Sequence, residues 1–419
     1  MNGIVHIVGA GLAGLSAATR LAEMGHRVHV YEANPVAGGR VRTWHDKRLG
    51  RDIDNGNHLL LSGNRSAQRY LDRIDAKDRM ETATEAAFAF ADLETGERWR
   101  VRMNAGPLPW WVLVPPRRIP GTSLADYAQG IALMRAKRGQ TVAEVIPARG
   151  RIWKRFWEPL TLAVLNTTPE DGEACLLWAA MAETFARGGH LCRPMFAPAG
   201  LGTALVDPAE AHLRRHGARI HFRHALKAVP IAAGRASALQ FADDTRVEIF
   251  PQDRVILALP PTRLGAVLPG LELPRDDAGI LNAHFVVEDP AITDGLAPIT
   301  GLVHATTHWA FVRGDVISLT VSAADRLGLM EEDPEALAPR LWVETCAALN
   351  LGAARYRAAR INKERRATFD QSPKEAAKRP AARTALTNLF LAGDATQTGL
   401  PATIEGAIRS GETAARLAA

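Results

Sequence analysis

Cysteine is scarce in this sequence. The three cysteines, Cys175, Cys192 and Cys346, are odd in number and widely spaced, which excludes a disulfide framework and leaves no redox pair or metal-ligand set. No apolar run approaches the ~18 residues that a membrane-spanning helix needs. Basic residues are scattered without a long run, which argues against a dedicated nucleic-acid face. The net charge of +6 still allows attraction to an anionic lipid or substrate. There is no internal repeat and no low-complexity tract. No signal peptide precedes the first strand, so a cytoplasmic protein is expected, with peripheral attachment at the inner face of the cell membrane as the variant on that reading.

What is present reads as a globular chain with ample core: 419 residues, 47% hydrophobic and 23% charged, enough for two domains or one large elaborated one. Its opening carries the strongest signal. A β-branched run, Ile4-Val5-His6-Ile7-Val8, ends in Gly9-x-Gly11-x-x-Gly14, and a helix-forming stretch follows with Leu15, Ala18, Leu21 and Ala22 on one face. Gly9 permits the tight turn, Gly11 lets backbone approach a pyrophosphate, and Gly14 lets helix and strand pack closely. A second strand, Val28–Tyr31, ends in Glu32, where an acid is expected to hold a ribose hydroxyl. The pattern predicts a dinucleotide site, and an acid at this position disfavours a 2′-phosphate.

Past Glu32 comes Gly38-Gly39-Arg40, where glycines leave room for a bulky cofactor and an arginine fork suits its pyrophosphate. At this distance from the first motif it resembles the second fingerprint of the FAD-binding superfamily of amine oxidases and phytoene desaturases. The resemblance implies non-covalent FAD, with Leu12, Ala13 and Ala33 in the same pocket. The segment Asp52–Leu61 resembles that family's return past the flavin. His58 is its residue best placed for the reacting end, either as a proton donor or as a ring packed beside the flavin.

Residues 85–200 lack both βαβ rhythm and nucleotide motif and read as substrate domain. Pro107–Pro116, with Trp110 and Trp111 and arginines on both sides, has two readings: a segment (Trp110–Pro116) that dips into a membrane interface, or a buried strand or cavity wall. Helical periodicity is expected from Leu124 to Met134, and Trp153, Phe156 and Trp157 read as core. Trp157-Glu158-Pro159-Leu160 through Leu165-Asn166-Thr167 resembles a segment of the hydroxysqualene dehydroxylases. Asn166 and Thr167 end an apolar run, so they either face a ligand or cap the next element. A helix is expected over Leu205–His216, with strands near 219–222, 225–229 and 254–259. Further on, strand-like 316–321 and helical Pro334–Leu349 belong to the substrate domain, and Asp370–Arg383 reads as a solvated connector.

The C-terminal stretch closes the pattern. Leu389–Ala392 is strand-like and ends in Gly393-Asp394, and Thr398–Gly411 opens a helix. In the resembled family the aspartate binds the ribitol, Thr403 and Ile404 face the flavin's pyrimidine edge, and the backbone near Leu226 lies against the adenine. Glu405 is a first-turn acid positioned to pair with Arg409, with a catalytic role as the other reading.

The expected fold is α/β: a Rossmann-like FAD-binding domain of the amine oxidase or glutathione reductase type (1–84, 198–262 and 371–419) with an interleaved α+β substrate domain (85–197 and 263–370). The resemblance implies reductive loss of the hydroxyl from hydroxysqualene, with His58, Glu405 and Asn166 as candidate catalytic residues. It also implies a hydrophobic C30 isoprenoid substrate, NADPH as external reductant, and contact with upstream squalene-pathway synthases. Two rival readings are an oxidative polyene desaturase and a non-catalytic isoprenoid escort protein.

Overall fold

The opening β-branched run forms the strand Ile4–Val8. In the computed structural model, which describes residues 3–275 and 277–419, it is the central strand of a five-stranded sheet. Across that sheet the order is Arg219–Phe222, Arg27–Glu32, Ile4–Val8, Arg254–Leu257 and Leu389–Leu391, every pairing parallel. The chain lays strands on one side of Ile4–Val8 and later on the other. Strand order therefore reverses beside it, and the carboxyl ends of strands at such a reversal form a ligand crevice.

One face of this sheet carries Val5, Ile7, Val28, Val30, Ile256 and Phe390. It is covered by the helix Leu12–Glu23 and by the terminal helix Ile404–Ala418. Those two helices meet at Gly411, where an added Cβ would run into the Ala13 carbonyl oxygen, and Ser16 Oγ donates to the Ile408 carbonyl at 2.9 Å.

The opposite face carries a ladder of rings. His6 stacks on Tyr31, Tyr31 stacks on His221 at 4.9 Å, and His29 lies 5.3 Å from His221. Burial lowers the pKa values of His6, His29 and His221, that of His6 to about 4. An unfolded histidine titrates near 6.5, so between the two values the unfolded chain binds more protons. The stabilisation is complete above about pH 6.5 and is lost as pH falls toward 4. Thermal melts should therefore be flat above pH 7 and fall between pH 6.5 and 5, before most carboxylates titrate. A flat profile through that window would contradict the ladder's role.

The second sheet has seven strands in the order Tyr356–Thr368, Ala278–Val287, Val316–Val321, Trp309–Arg313, Ile299–Val303, Ala87–Asp92 and Arg98–Arg102. All pairings are antiparallel except that of Ile299–Val303 with Ala87–Asp92. Side chains alternate along each strand. Leu281, Ala283 and Phe285 pack with Leu337, Leu341 and Trp342 of the helix Pro334–Leu349, which has the bounds expected of it. Asn282 and His284 point the other way, toward the segment 46–57.

Several expectations need correcting. Residues 124–134 form two short helices, Leu124–Ala128 and Gly130–Leu133, joined at Gln129. The Leu205–His216 expectation resolves into Leu201–Leu205 and Asp207–Arg215, broken at Val206. Pro107–Pro116 is no strand: it forms two 3-10 turns, Trp110–Leu113 and Pro115–Arg117, of which only Trp111 is buried. The connector 370–383 is not solvated throughout, because Gln371, Glu375 and Arg379 are buried. Two of them are held by internal bonds: Gln371 bridges the Leu165 carbonyl and the Ala402 amide, and Glu375 accepts from Lys378 at 2.6 Å.

Candidate flavin and substrate site

The glycine turn after the first strand is built as its spacing implies. Gly9 has φ +103°, and a Cβ on it would meet the Ala258 carbonyl. A Cβ on Gly14 would run into the Gly9 carbonyl oxygen, so helix and strand touch through backbone. Gly11 differs: its backbone is extended, and an added Cβ would meet nothing within 4 Å. The chain leaves open space above Gly11, at the N-terminus of the helix Leu12–Glu23, where free N–H groups and the positive dipole end favour a phosphate. These residues fit a dinucleotide.

The second fingerprint docks directly on the first. Gly38 donates to the Ala10 carbonyl at 2.8 Å, and Gly39, at φ +58°, lies against the Gly11 Cα. Glu32 is buried and accepts from the Ala10 amide at 2.8 Å and from Asn34. It thereby ties the end of the second strand to the glycine turn. Leu12, Ala13 and Leu226 are buried nearby, and Ala33 follows Glu32 on the surface.

Arg40 crosses to the C-terminal motif, donating to Asp394 Oδ1 at 2.7 Å and to the Ala367 carbonyl at 2.6 Å. Burial alone would raise the Asp394 pKa, but the Arg40 guanidinium outweighs it and the carboxylate stays ionised. Gly393 takes φ +133° and donates to Ser410 Oγ of the terminal helix. Thr403 caps that helix through the Gly406 amide at 3.1 Å, with Ile404 its first residue. Cap, dipole and Gly-Asp turn thus converge where a flavin's pyrimidine edge is expected.

One residue missed in the sequence organises this loop. Arg379 donates to the carbonyls of Leu400, Asp394 and Thr396 and to Thr398 Oγ1, and its guanidinium lies 4.9 Å from the Phe369 ring. Burial pulls its pKa down to about 10, so it stays charged at neutral pH. Nothing local marks it among the charges of 370–383. Asn282 and Thr320 were missed as well, yet a signal existed, since each is a polar residue inside an apolar strand. Thr320 Oγ1 donates to Asn282 Oδ1, and Asn57 Nδ2 reaches Thr320 Oγ1 at 3.1 Å, fixing the turn that holds His58. Asp54 anchors the same turn by accepting from Thr43, the Leu201 amide and Arg313.

His58 presents much of its ring to open space, yet its surroundings desolvate it enough to lower its pKa to about 4. Both observations hold if the open space is an internal cavity rather than bulk water. Leu59 and Leu61 beside it pack onto an apolar cluster with Phe156, Leu160, Trp178 and Ala402, the last adjoining the Thr403 cap. An imidazole with a pKa near 4 is neutral at pH 7. Of the two readings, this favours a ring packed beside the cofactor over a ready proton donor: a neutral His58 can still offer a hydrogen bond.

The other two catalytic candidates are occupied elsewhere. Glu405 accepts from the Ser66 and Ala67 amides at 2.9 Å each, and from Arg409. It caps the helix Arg65–Arg73 from across the fold, because the side chain of the preceding Asn64 is turned to the Leu61 amide instead. Asn166 ends the helix Glu158–Leu165 in the left-handed region at φ +50°. Its amide donates to Thr368 Oγ1 and accepts from the Ala323 N–H. Both residues are joints of the scaffold.

Comparison with known proteins agrees with this geometry. The chain is 41% identical over 417 residues to the hydroxysqualene dehydroxylase of Zymomonas mobilis, covering 99% of each chain. It is 42% identical to that of Rhodopseudomonas palustris, covering 100% of this chain and 98% of the other. Cyclohexylamine oxidase from Brevibacterium oxydans IH-35A shares the fold, with a TM-score of 0.73 at 14% identity over 100% of this chain and 99% of that one. Residues 12–289 and 304–419 match the family described as flavin containing amine oxidoreductase. The chain therefore belongs to the flavin-containing amine oxidoreductases, within the group of the hydroxysqualene dehydroxylases.

Proposed function

We propose that the protein reductively removes the hydroxyl of hydroxysqualene to give squalene, with NADPH as the external reductant of its flavin. The observation that carries this reading is His58, an imidazole whose pKa is lowered to about 4 by burial and which is followed by Leu59 and Leu61 of an apolar cluster, together with a complete dinucleotide cradle. When bound, reduced FAD supplies a hydride to the carbon that the hydroxyl leaves. The protein's own part is to hold the cofactor through the open face of Gly11, Glu32, Arg40 and Asp394, and to keep water from the allylic cation. Neutral His58 would steady the departing hydroxyl by a hydrogen bond, and the leaving oxygen would go as water with the one proton that the net reaction consumes alongside NADPH. A C30 isoprenoid alcohol partitions into lipid, so the enzyme would collect its substrate at the membrane.

Anaerobic incubation of the flavoprotein with NADPH and hydroxysqualene, followed by mass spectrometry of the extract, tests the reaction. Squalene formed only with enzyme and reductant is expected. A bound, reduced flavin with no squalene would overturn the reading in favour of an oxidative desaturase. His58→Ala should keep its FAD and lose roughly 10²-fold in kcat, as for removal of one preorganised donor. Wild-type kcat should show no dependence on a group with pKa near 6.5, and such a dependence would refute the neutral-donor role.

A further inference from the structure

We infer that the face formed by residues 108–138 docks on an anionic lipid bilayer. Among the described residues, half of the large apolar side chains that face solvent lie between 108 and 134: Leu108 (77% exposed), Trp110, Leu113 (61%), Leu124, Ile131 and Met134. They form one surface. The turn Trp110–Leu113 packs beside the helix Leu124–Ala128 through an edge-to-face contact of Trp111 with Tyr127 at 5.4 Å. Gln129 is itself helical, so Leu124, Ala128 and Ile131 fall at helical spacing on one stripe that faces out, while Leu133 faces in and is fully buried. This is an amphipathic segment turned with its apolar side to solvent.

Charge identifies the occupant. Residues 103–154 hold eight basic and two acidic side chains, and the other 367 residues hold 43 of each, so the whole net charge of +6 resides in this stretch. Its two acids are engaged locally: Asp126 accepts from Ser123 and Glu144 from the Thr141 amide. Arg117, which lies 4.9 Å over the Trp110 ring, and Arg118 follow the projecting turn in the chain, and Arg135, Lys137 and Arg138, all exposed, directly follow Met134. Apolar side chains on projecting turns and a helix stripe, flanked by cations, match the depth profile of an anionic leaflet, with Trp110 at the headgroup level.

The inference rests on the proposed function only in naming where the lipid substrate is collected. Binding is measured without substrate, so either reading can fail alone. Purified holoprotein is sedimented with vesicles of phosphatidylcholine, and with vesicles of equal parts phosphatidylcholine and phosphatidylglycerol. It should pellet with the anionic vesicles, and the bound fraction should fall as salt is raised. Leu113→Glu combined with Ile131→Glu should abolish pelleting. Lys137→Gln combined with Arg138→Gln, both at exposed positions, should weaken it roughly fivefold per cation removed. Both variants should keep their flavin and their turnover of detergent-dispersed substrate. Wild-type protein left in the supernatant with anionic vesicles, or partition indifferent to both variants, would overturn the inference. Capture by a squalene-pathway synthase without vesicle binding would overturn it in favour of a protein partner.

Discussion

Gly11→Val is expected to give a folded, colourless protein. Gly11 has φ −72°, which valine tolerates, and an added Cβ meets nothing in the chain within 4 Å. The cost of the new side chain therefore falls on whatever occupies the space above it, which is where a pyrophosphate must come against backbone. Affinity for FAD should drop at least about 100-fold, or ~2.7 kcal/mol, while the melting temperature of the apoprotein stays that of the wild type. Gly14→Val is the contrasting variant, because its Cβ collides with the Gly9 carbonyl and should prevent correct folding. Flavin absorbance and a thermal melt separate the two. A yellow Gly11→Val protein at full occupancy would refute the placement of the cofactor.

Arg379→Met should be the most damaging single change outside the glycine motifs. Methionine fills much of the volume but leaves the buried carbonyls of Leu400, Asp394 and Thr396 without their donor. Breaking a buried, hydrogen-bonded ionic centre costs about 3–5 kcal/mol, and here the loss falls on the loop between Gly393 and Thr403. Denaturant unfolding should register that loss, and FAD release should accelerate because Asp394 also loses a neighbouring cation. Arg379→Lys should rescue little, since an ammonium cannot reproduce a planar fork reaching several acceptors. Near-wild-type stability of the lysine variant would show that charge rather than the fork is what the loop requires.

The two predictions differ in how legible their residues were. Gly9, Gly11 and Gly14 act through local sterics, so spacing alone announces the turn, the strand before it and the helix after it. Glu405 was half legible: its i+4 pairing with Arg409 is written in the spacing, whereas its bonds to the Ser66 and Ala67 amides join residues more than 300 positions apart. Arg379 was illegible for the same reason. In a stretch of prolines and charges it looks solvated, and only the tertiary fold supplies the carbonyls that draw it inside. His58 shows a third kind of limit. Its position beside the second fingerprint could be anticipated, but its protonation state depends on the burial that the tertiary fold supplies, which no local pattern encodes. The exposed stripe at 124–131 is the converse case, because periodicity announced a helix without saying which face would be left uncovered.

The packing of Gly411 on Ala13 has a consequence for biogenesis. Ser16 and Ile408, bonded across that contact, are 392 residues apart in the chain. At about 5–20 residues per second, the ribosome needs on the order of half a minute to make the second after the first. Through that interval the nascent chain holds an apolar helix without its lid and a central strand without its later neighbours. Cofactor capture must then wait until the helix Ile404–Ala418 has been made, and a polypeptide stalled or released before that point would present sticky surface to the folding-assistance machinery of its cell.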